Sequence, residues 1–171
     1  FKNTKHTTPN IIKICKNIND FVEKGIKNLA IEISSHGLDQ ERVYGLNFDS
    51  VIFTNLTREH LDYHKNMRNY FNTKLKLFKE YNHKKKIVSI DNYYGKKTYN
   101  IFKNDKNIKT VSIKNKNADY YASNIMYSEN GLDFNVHSKY GSRSVSTKLF
   151  GEFTIETVSY THLTLPTMFE V

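Results

Sequence analysis

One cysteine, Cys15, is all that the chain contains, so an internal disulfide framework is excluded and a reducing, cytoplasmic setting is expected. No apolar run approaches the roughly 20 residues of a membrane-spanning helix, and no membrane partner is expected. The opening FKNTKHTTPN is polar and lacks the apolar stretch and small-residue cleavage site of a secretory signal. An initiating methionine is missing as well, and a chain that starts at Phe1 reads as a fragment. No internal repeat is visible. What is abundant is lysine, and with it comes a formal net charge of +9. Clustered Lys and Arg would release counterions from nucleic-acid phosphates. Here the lysines are scattered, and only Lys84-Lys85-Lys86 forms a run. With Tyr, Asn and Ile also plentiful, the texture is that of an AT-rich coding sequence, and no nucleic-acid motif accompanies it.

At 171 residues the chain is long enough for one domain with a core of ordinary size. Residues 9–24 carry Ile11, Ile12, Cys15, Ile18, Phe21 and Val22 at helical spacing, which predicts one buried stripe. Pro9 suits the first turn of that helix and Gly25 its stop. Residues 29–34 (LAIEIS) read as a buried strand, 38–46 as a short helix or turn, and 49–54 as a second strand. A longer helix is predicted over 67–81, a strand over 86–90, a helix over 92–103 and a strand over 109–113. Alternation of this kind implies an α/β fold with a mostly parallel, doubly wound sheet, whose ligands gather beyond the carboxyl ends of its strands. After residue 114 the texture changes. Segments 118–126, 132–138 and 142–149 are rich in β-formers and separated by Glu129-Asn130-Gly131 and Tyr140-Gly141, which predicts a small antiparallel meander. The closing TVSYTHLTLPTMFEV continues no pattern that precedes it and resembles translated adapter read-through. Residues 1–155 are therefore taken as the domain and 156–171 as a non-native tail.

Two places carry chemistry. Glu32 sits amid the apolar residues of LAIEIS, where burial without a partner would cost several kcal/mol. It is either hydrogen-bonded at a strand end or a metal ligand or general base. In EHLDYH, His60 and His64 flank Asp62 at a spacing that could share a helical face and suggest zinc. No cysteine lies nearby, so an oxygen-rich Mg²⁺ site suits the cluster better, and a purely structural role stays open.

These residues lie in a recognisable order. EISSHGLDQERV (residues 32–43) is similar to the E-x-S-S-H-G-L-x-Q-x-R-V segment of MurE-type Mur ligases. FTNLTREHLDYH (53–64) resembles the family's F-T-N-L-x-x-D-H-L-D-Y-H, and YFNTKLKLF (70–78) its Y-x-x-x-K-x-x-L-F helix. HTTP (6–9) resembles N-T-T-P. The resemblance covers roughly residues 1–155 and implies the central domain of an ATP-dependent ligase of peptidoglycan synthesis. Such an enzyme adds the third amino acid, diaminopimelate or lysine, to UDP-N-acetylmuramoyl-dipeptide through an acyl phosphate.

What the resemblance implies for individual residues follows from those motifs. Glu32, His60 and Lys74 would hold Mg²⁺. Lys74 would be carbamylated, and with His60 it would make up the catalytic set. Thr7, Thr8, Ser34, Gln40 and Arg42 would hold the muramyl peptide, and Asn55 is a candidate for the nucleotide site. His36 and Gly37 would shape a turn. A monomer is expected. Departures are visible: Glu59 stands where the family has Asp, and His6 where it has Asn. GEFTIET lacks both asparagines of G-x-F-N-x-x-N. No G-x-x-x-x-G-K-[ST] phosphate loop occurs in these residues, so the chain alone is expected to be inactive. The alternatives are another ligase of the superfamily, of the folylpolyglutamate or cyanophycin type, and, remotely, a non-catalytic basic module that binds nucleic acid.

Overall fold

In the computed structural model residues 7–164 are described, with side chains through Thr161. They form two compact units. The first comprises the residues up to Phe48 together with Arg58–Asn82, and the second comprises Asp49–Thr57 and the residues from His83 onward.

The first unit is helical: α1 (Ile11–Glu23), α2 (Ser35–Asp39), α3 (Leu61–His64) and α4 (Met67–Lys79). Helices α1, α2 and α4 begin where short polar side chains replace missing backbone acceptors. Asn10 accepts from Lys13 N, Ser34 from Gly37 N and Asn66 from Asn69 N. Gly25, at a φ of 73°, ends α1 in the left-handed region where a side chain would be strained. α2 packs on α4, which buries Tyr70, Phe71, Leu75, Leu77 and Phe78.

Two expectations fail in this unit. Residues 29–34 form no strand, and Glu32 is exposed rather than buried in one. A parallel strand needs ladder partners, and none is present for this segment among the described residues. The stripe of α1 is also turned. Ile14 is its buried residue, flanked by half-buried Ile11, Ile18 and Phe21, whereas Ile12, Cys15 and Val22 are exposed. Both lines obey helical spacing, and the neighbour that selects between them is a tertiary matter.

The second unit is a six-stranded sheet in the order β1 (Phe48–Phe53), β2 (His83–Ser89), β3 (Ile108–Ser112), β4 (Tyr120–Ser128), β5 (Gly131–Ser138) and β6 (Gly141–Thr147). β2–β3 and β3–β4 pair in parallel, while β4–β5 and β5–β6 pair antiparallel, so the meander extends the same sheet. α5 (Tyr93–Phe102) packs on β2 and β3, with Asn92 capping it through Gly95 N. A Cβ on Gly95 would lie 1.8 Å from the Ser89 carbonyl oxygen, so only glycine permits this approach. α6 (Glu152–Thr164) packs on β3 and β4. Its Ile155 joins Ala122, Leu132, Phe134 and Val136 in one cluster, and its Tyr160 joins Ile87 and Val111 in another. Residues 156–164 of the suspected tail thus continue this helix, while 165–171 lie outside the described residues, as does His6.

Candidate functional site

The first unit gathers most of the predicted site around Thr8. That side chain is wholly buried. Its hydroxyl donates to the Glu32 carbonyl at 3.1 Å and accepts from Ser34 N at 2.9 Å. Ser34 Oγ lies 3.2 Å away and accepts from Gly37 N at 3.1 Å, so one serine both closes this clasp and starts α2. A Cβ on Gly37 would come within 2.8 Å of Thr8 Cβ, so the glycine of this turn makes room for the threonine. Arg42 Nη1 donates to the Thr8 carbonyl at 2.9 Å, and Arg42 Nε donates to Gln40 Oε1 at 3.0 Å, with Nη2 directed to the same oxygen. Thr7, beside the clasp in sequence, is exposed.

The second predicted group is approached from α4. Lys74 Nζ donates to the Ile33 carbonyl at 3.1 Å. Burial pushes its amine below the ordinary lysine range, opposed by the charge of Glu32. Lys74 is therefore held at the backbone next to Glu32, two of the three predicted metal ligands. His60 is exposed and has a left-handed backbone, with φ 56°. Its ring meets His36 edge-on at 5.1 Å between centroids and Tyr70 at 5.9 Å.

His36 is the hub of a ring cluster: Tyr63 lies 4.2 Å and His64 5.7 Å from it, and His64 stacks on Tyr70 at 5.0 Å. His64 is buried, and its Nε2 finds no hydrogen-bond partner. Burial foremost, and then the charge of His36, push its pKa below the usual histidine value. Among the described residues no group of three or more His, Cys, Asp or Glu side chains is placed to hold a metal.

Asn55 belongs to the second unit, is exposed, and accepts from its own neighbour Leu56 N at 2.7 Å. Sequence reasoning missed Asp39, Tyr63 and Lys76. The Tyr63 hydroxyl donates to Asp39 Oδ2 at 2.8 Å and accepts from Gln40 Nε2 at 3.4 Å, and Lys76 Nζ lies 3.5 Å from Asp39 Oδ1. Nothing in a linear pattern pairs residues 24 positions apart. The only available signal was a carboxylate directly before Gln40.

The mostly parallel sheet with its covering helices and antiparallel extension defines an α/β fold of the Mur ligase kind. The chain belongs to the Mur ligase middle domain family, which it matches over residues 1–160. It is 39% identical over 170 residues to the UDP-N-acetylmuramoyl-L-alanyl-D-glutamate--2,6-diaminopimelate ligase of Wigglesworthia glossinidia brevipalpis, covering 98% of this chain and 34% of that protein. To the ligase of the same name from Aquifex aeolicus it is 40% identical over 147 residues, covering 86% of this chain and 30% of the other. A solved structure of a ligase of that name superposes with a TM-score of 0.80 at 30% identity, covering 92% of this chain and 33% of its own. The MurF ligase of Thermotoga maritima in complex with ADP shares the fold, with a TM-score of 0.57 at 13% identity over 72% of this chain and 28% of its own. The chain spans about a third of the length of the curated relatives it matches.

Proposed function

We propose that this chain is the central part of an ATP-dependent ligase that joins diaminopimelate to UDP-N-acetylmuramoyl-dipeptide through an acyl phosphate. The relatives' names support the substrate and the amino acid. One structural observation carries the reading of the site: Lys74 reaches out of α4 to the Ile33 carbonyl in a desolvated setting beside Glu32.

Carbamylation requires a neutral amine, and burial of Lys74 favours that form. Having given up one proton to become neutral, the amine nitrogen would bond to the carbon of CO₂ and release a second proton to solvent, so that a cation becomes a carboxylate. Glu32, His60 and carbamylated Lys74 are an oxygen-rich donor set suited to Mg²⁺, an oxygen-seeking ion that keeps several waters. Bound there, Mg²⁺ would supply positive charge against the negative charge that builds on phosphoryl oxygens.

The other residues hold the acceptor. Thr7, Thr8, Ser34, Gln40 and Arg42 bind the muramyl peptide, and Arg42 presents a planar fork to a carboxylate or phosphate. Because Arg42 is braced by Gln40 and the Thr8 carbonyl, little side-chain entropy is left to lose when substrate arrives. Asn55 is assigned to the nucleotide side. In this reading the enzyme is a cytoplasmic monomer that needs neither nucleic acid nor membrane. No helix among the described residues is long and apolar enough to cross one. Residues 1–155 are taken as the central domain, and 156–171 as a non-native tail.

The test is Lys74→Ala in the complete enzyme. Ligation should fall by at least about 100-fold, as expected when a positioned charge is removed from a phosphoryl-transfer site. Small added carboxylates should restore part of it. Undiminished activity would overturn the assignment.

A further inference from the structure

Between α2 and α3 a chain of hydrogen bonds starts from two groups that the substrate reading does not use, Asp39 and Tyr63. The carboxylate of Asp39 accepts from the Tyr63 hydroxyl at 2.8 Å. That hydroxyl has one proton, and with the proton committed to Asp39 its oxygen faces Gln40 Nε2, 3.4 Å away, as an acceptor. The amide of Gln40 is thereby set with its nitrogen towards Tyr63 and its oxygen towards Arg42, whose Nε and Nη2 converge on that oxygen. Arg42 Nη1 then reaches the Thr8 carbonyl. The directions agree from both ends, since a carboxylate only accepts and a guanidinium only donates.

We propose that Asp39 and Tyr63 are positioning residues for the acceptor substrate, setting the amide orientation of Gln40 and through it the guanidinium plane of Arg42. This rests on the assignment of Gln40 and Arg42 to the muramyl peptide. Two observations support it. The Tyr63 ring is seated on His36 at 4.2 Å and beside His64 at 4.9 Å, so its hydroxyl is aimed by packing rather than by the loop alone. Asp39 is held below the ordinary carboxylate range, chiefly by the Tyr63 hydroxyl and further by Lys76, so it stays an acceptor at neutral pH.

The experiment uses the complete enzyme, with initial rates measured against UDP-N-acetylmuramoyl-dipeptide and separately against ATP. Tyr63→Phe keeps the ring and removes the hydroxyl, and Asp39→Ala removes the acceptor. Each should raise KM for the muramyl peptide by roughly 3- to 10-fold, the range of one or two hydrogen bonds, and leave KM for ATP within about 2-fold. Asp39→Asn retains a carbonyl acceptor for Tyr63 and should stay within about 2-fold of the unaltered enzyme. Lys76→Met removes only the exposed ion pair and should do the same. Unaltered KM values in Tyr63→Phe, or parallel rises for both substrates, would overturn the inference while leaving the ligase reading intact. An unaltered enzyme that ligates nothing would overturn both. A change in the melting temperature of Tyr63→Phe with no change in KM would reduce the brace to a stabilising contact and refute its positioning role.

Discussion

The two units are held together by different forces, and the residues of chemical interest follow the difference. In the second unit Phe134, Leu132, Val136, Ala122 and Ile155 form an apolar cluster, while backbone ladders from β2 through β6 satisfy the main chain. In the first unit the segment around Thr8, Ser34 and Arg42 has no ladder, and side-chain hydroxyl, amide and guanidinium groups satisfy the backbone instead. A ladder fixes a strand but leaves its side chains interchangeable on the solvent face. A side-chain clasp fixes the functional groups themselves, and each is hard to replace. The proposed binding residues therefore lie where the structure depends on polar side chains.

The sharpest way to test this contrast is to remove one member of each kind in the full-length protein. Phe134→Ala should lower stability by about 3–5 kcal/mol, the usual loss for a buried aromatic, with KM for the muramyl peptide unchanged in the folded fraction. Urea unfolding and initial rates would check the two halves of that statement. Gly37→Ala should do the reverse. Its methyl group would press on Thr8 Cβ and force the threonine to shift, at a cost of about 1–3 kcal/mol that falls mainly on substrate affinity. Calorimetric titration of the muramyl peptide is the direct measurement, and unaltered affinity would mean that the clasp can yield. The smallest effect should come from Asn66→Ala, which removes the cap of α4 far along the helix from Lys74. Stability should drop by about 1 kcal/mol. A larger fall in activity than in stability would show that the start of α4 also positions Lys74.

Much of the fold was legible because local rules and tertiary structure agreed. The helices over 67–81 and 92–103, and the three meander segments with their turns, appear as α4, α5 and β4–β6 within a few residues. Disagreement came where a segment's state depends on its neighbours. Residues 29–34 have the composition of a strand, yet a strand is a pairing and not a property of one segment. Ile11, Ile14, Ile18 and Phe21 were hard to separate from Ile12, Cys15 and Val22, since adjacent lines of one helix look alike until something covers one of them. α6 was not foreseen at all, because residues 152–164 show almost no apolar periodicity.

For the candidate site the division is similar. The sequence alone determined which residue types were present and in what order: Thr8, Glu32, Ser34, Gln40, Arg42, His60 and Lys74, in motifs specific enough to identify the family. Only the tertiary structure decided that Glu32 is exposed, that Lys74 reaches the Ile33 carbonyl, and that Asp39 and Tyr63 brace Gln40. The reason is the range of the interactions. Helix caps and turns act across three or four residues and leave a local trace. The long-range hydrogen bonds of the site span 23 to 41 residues, and their geometry exists only after the chain has folded.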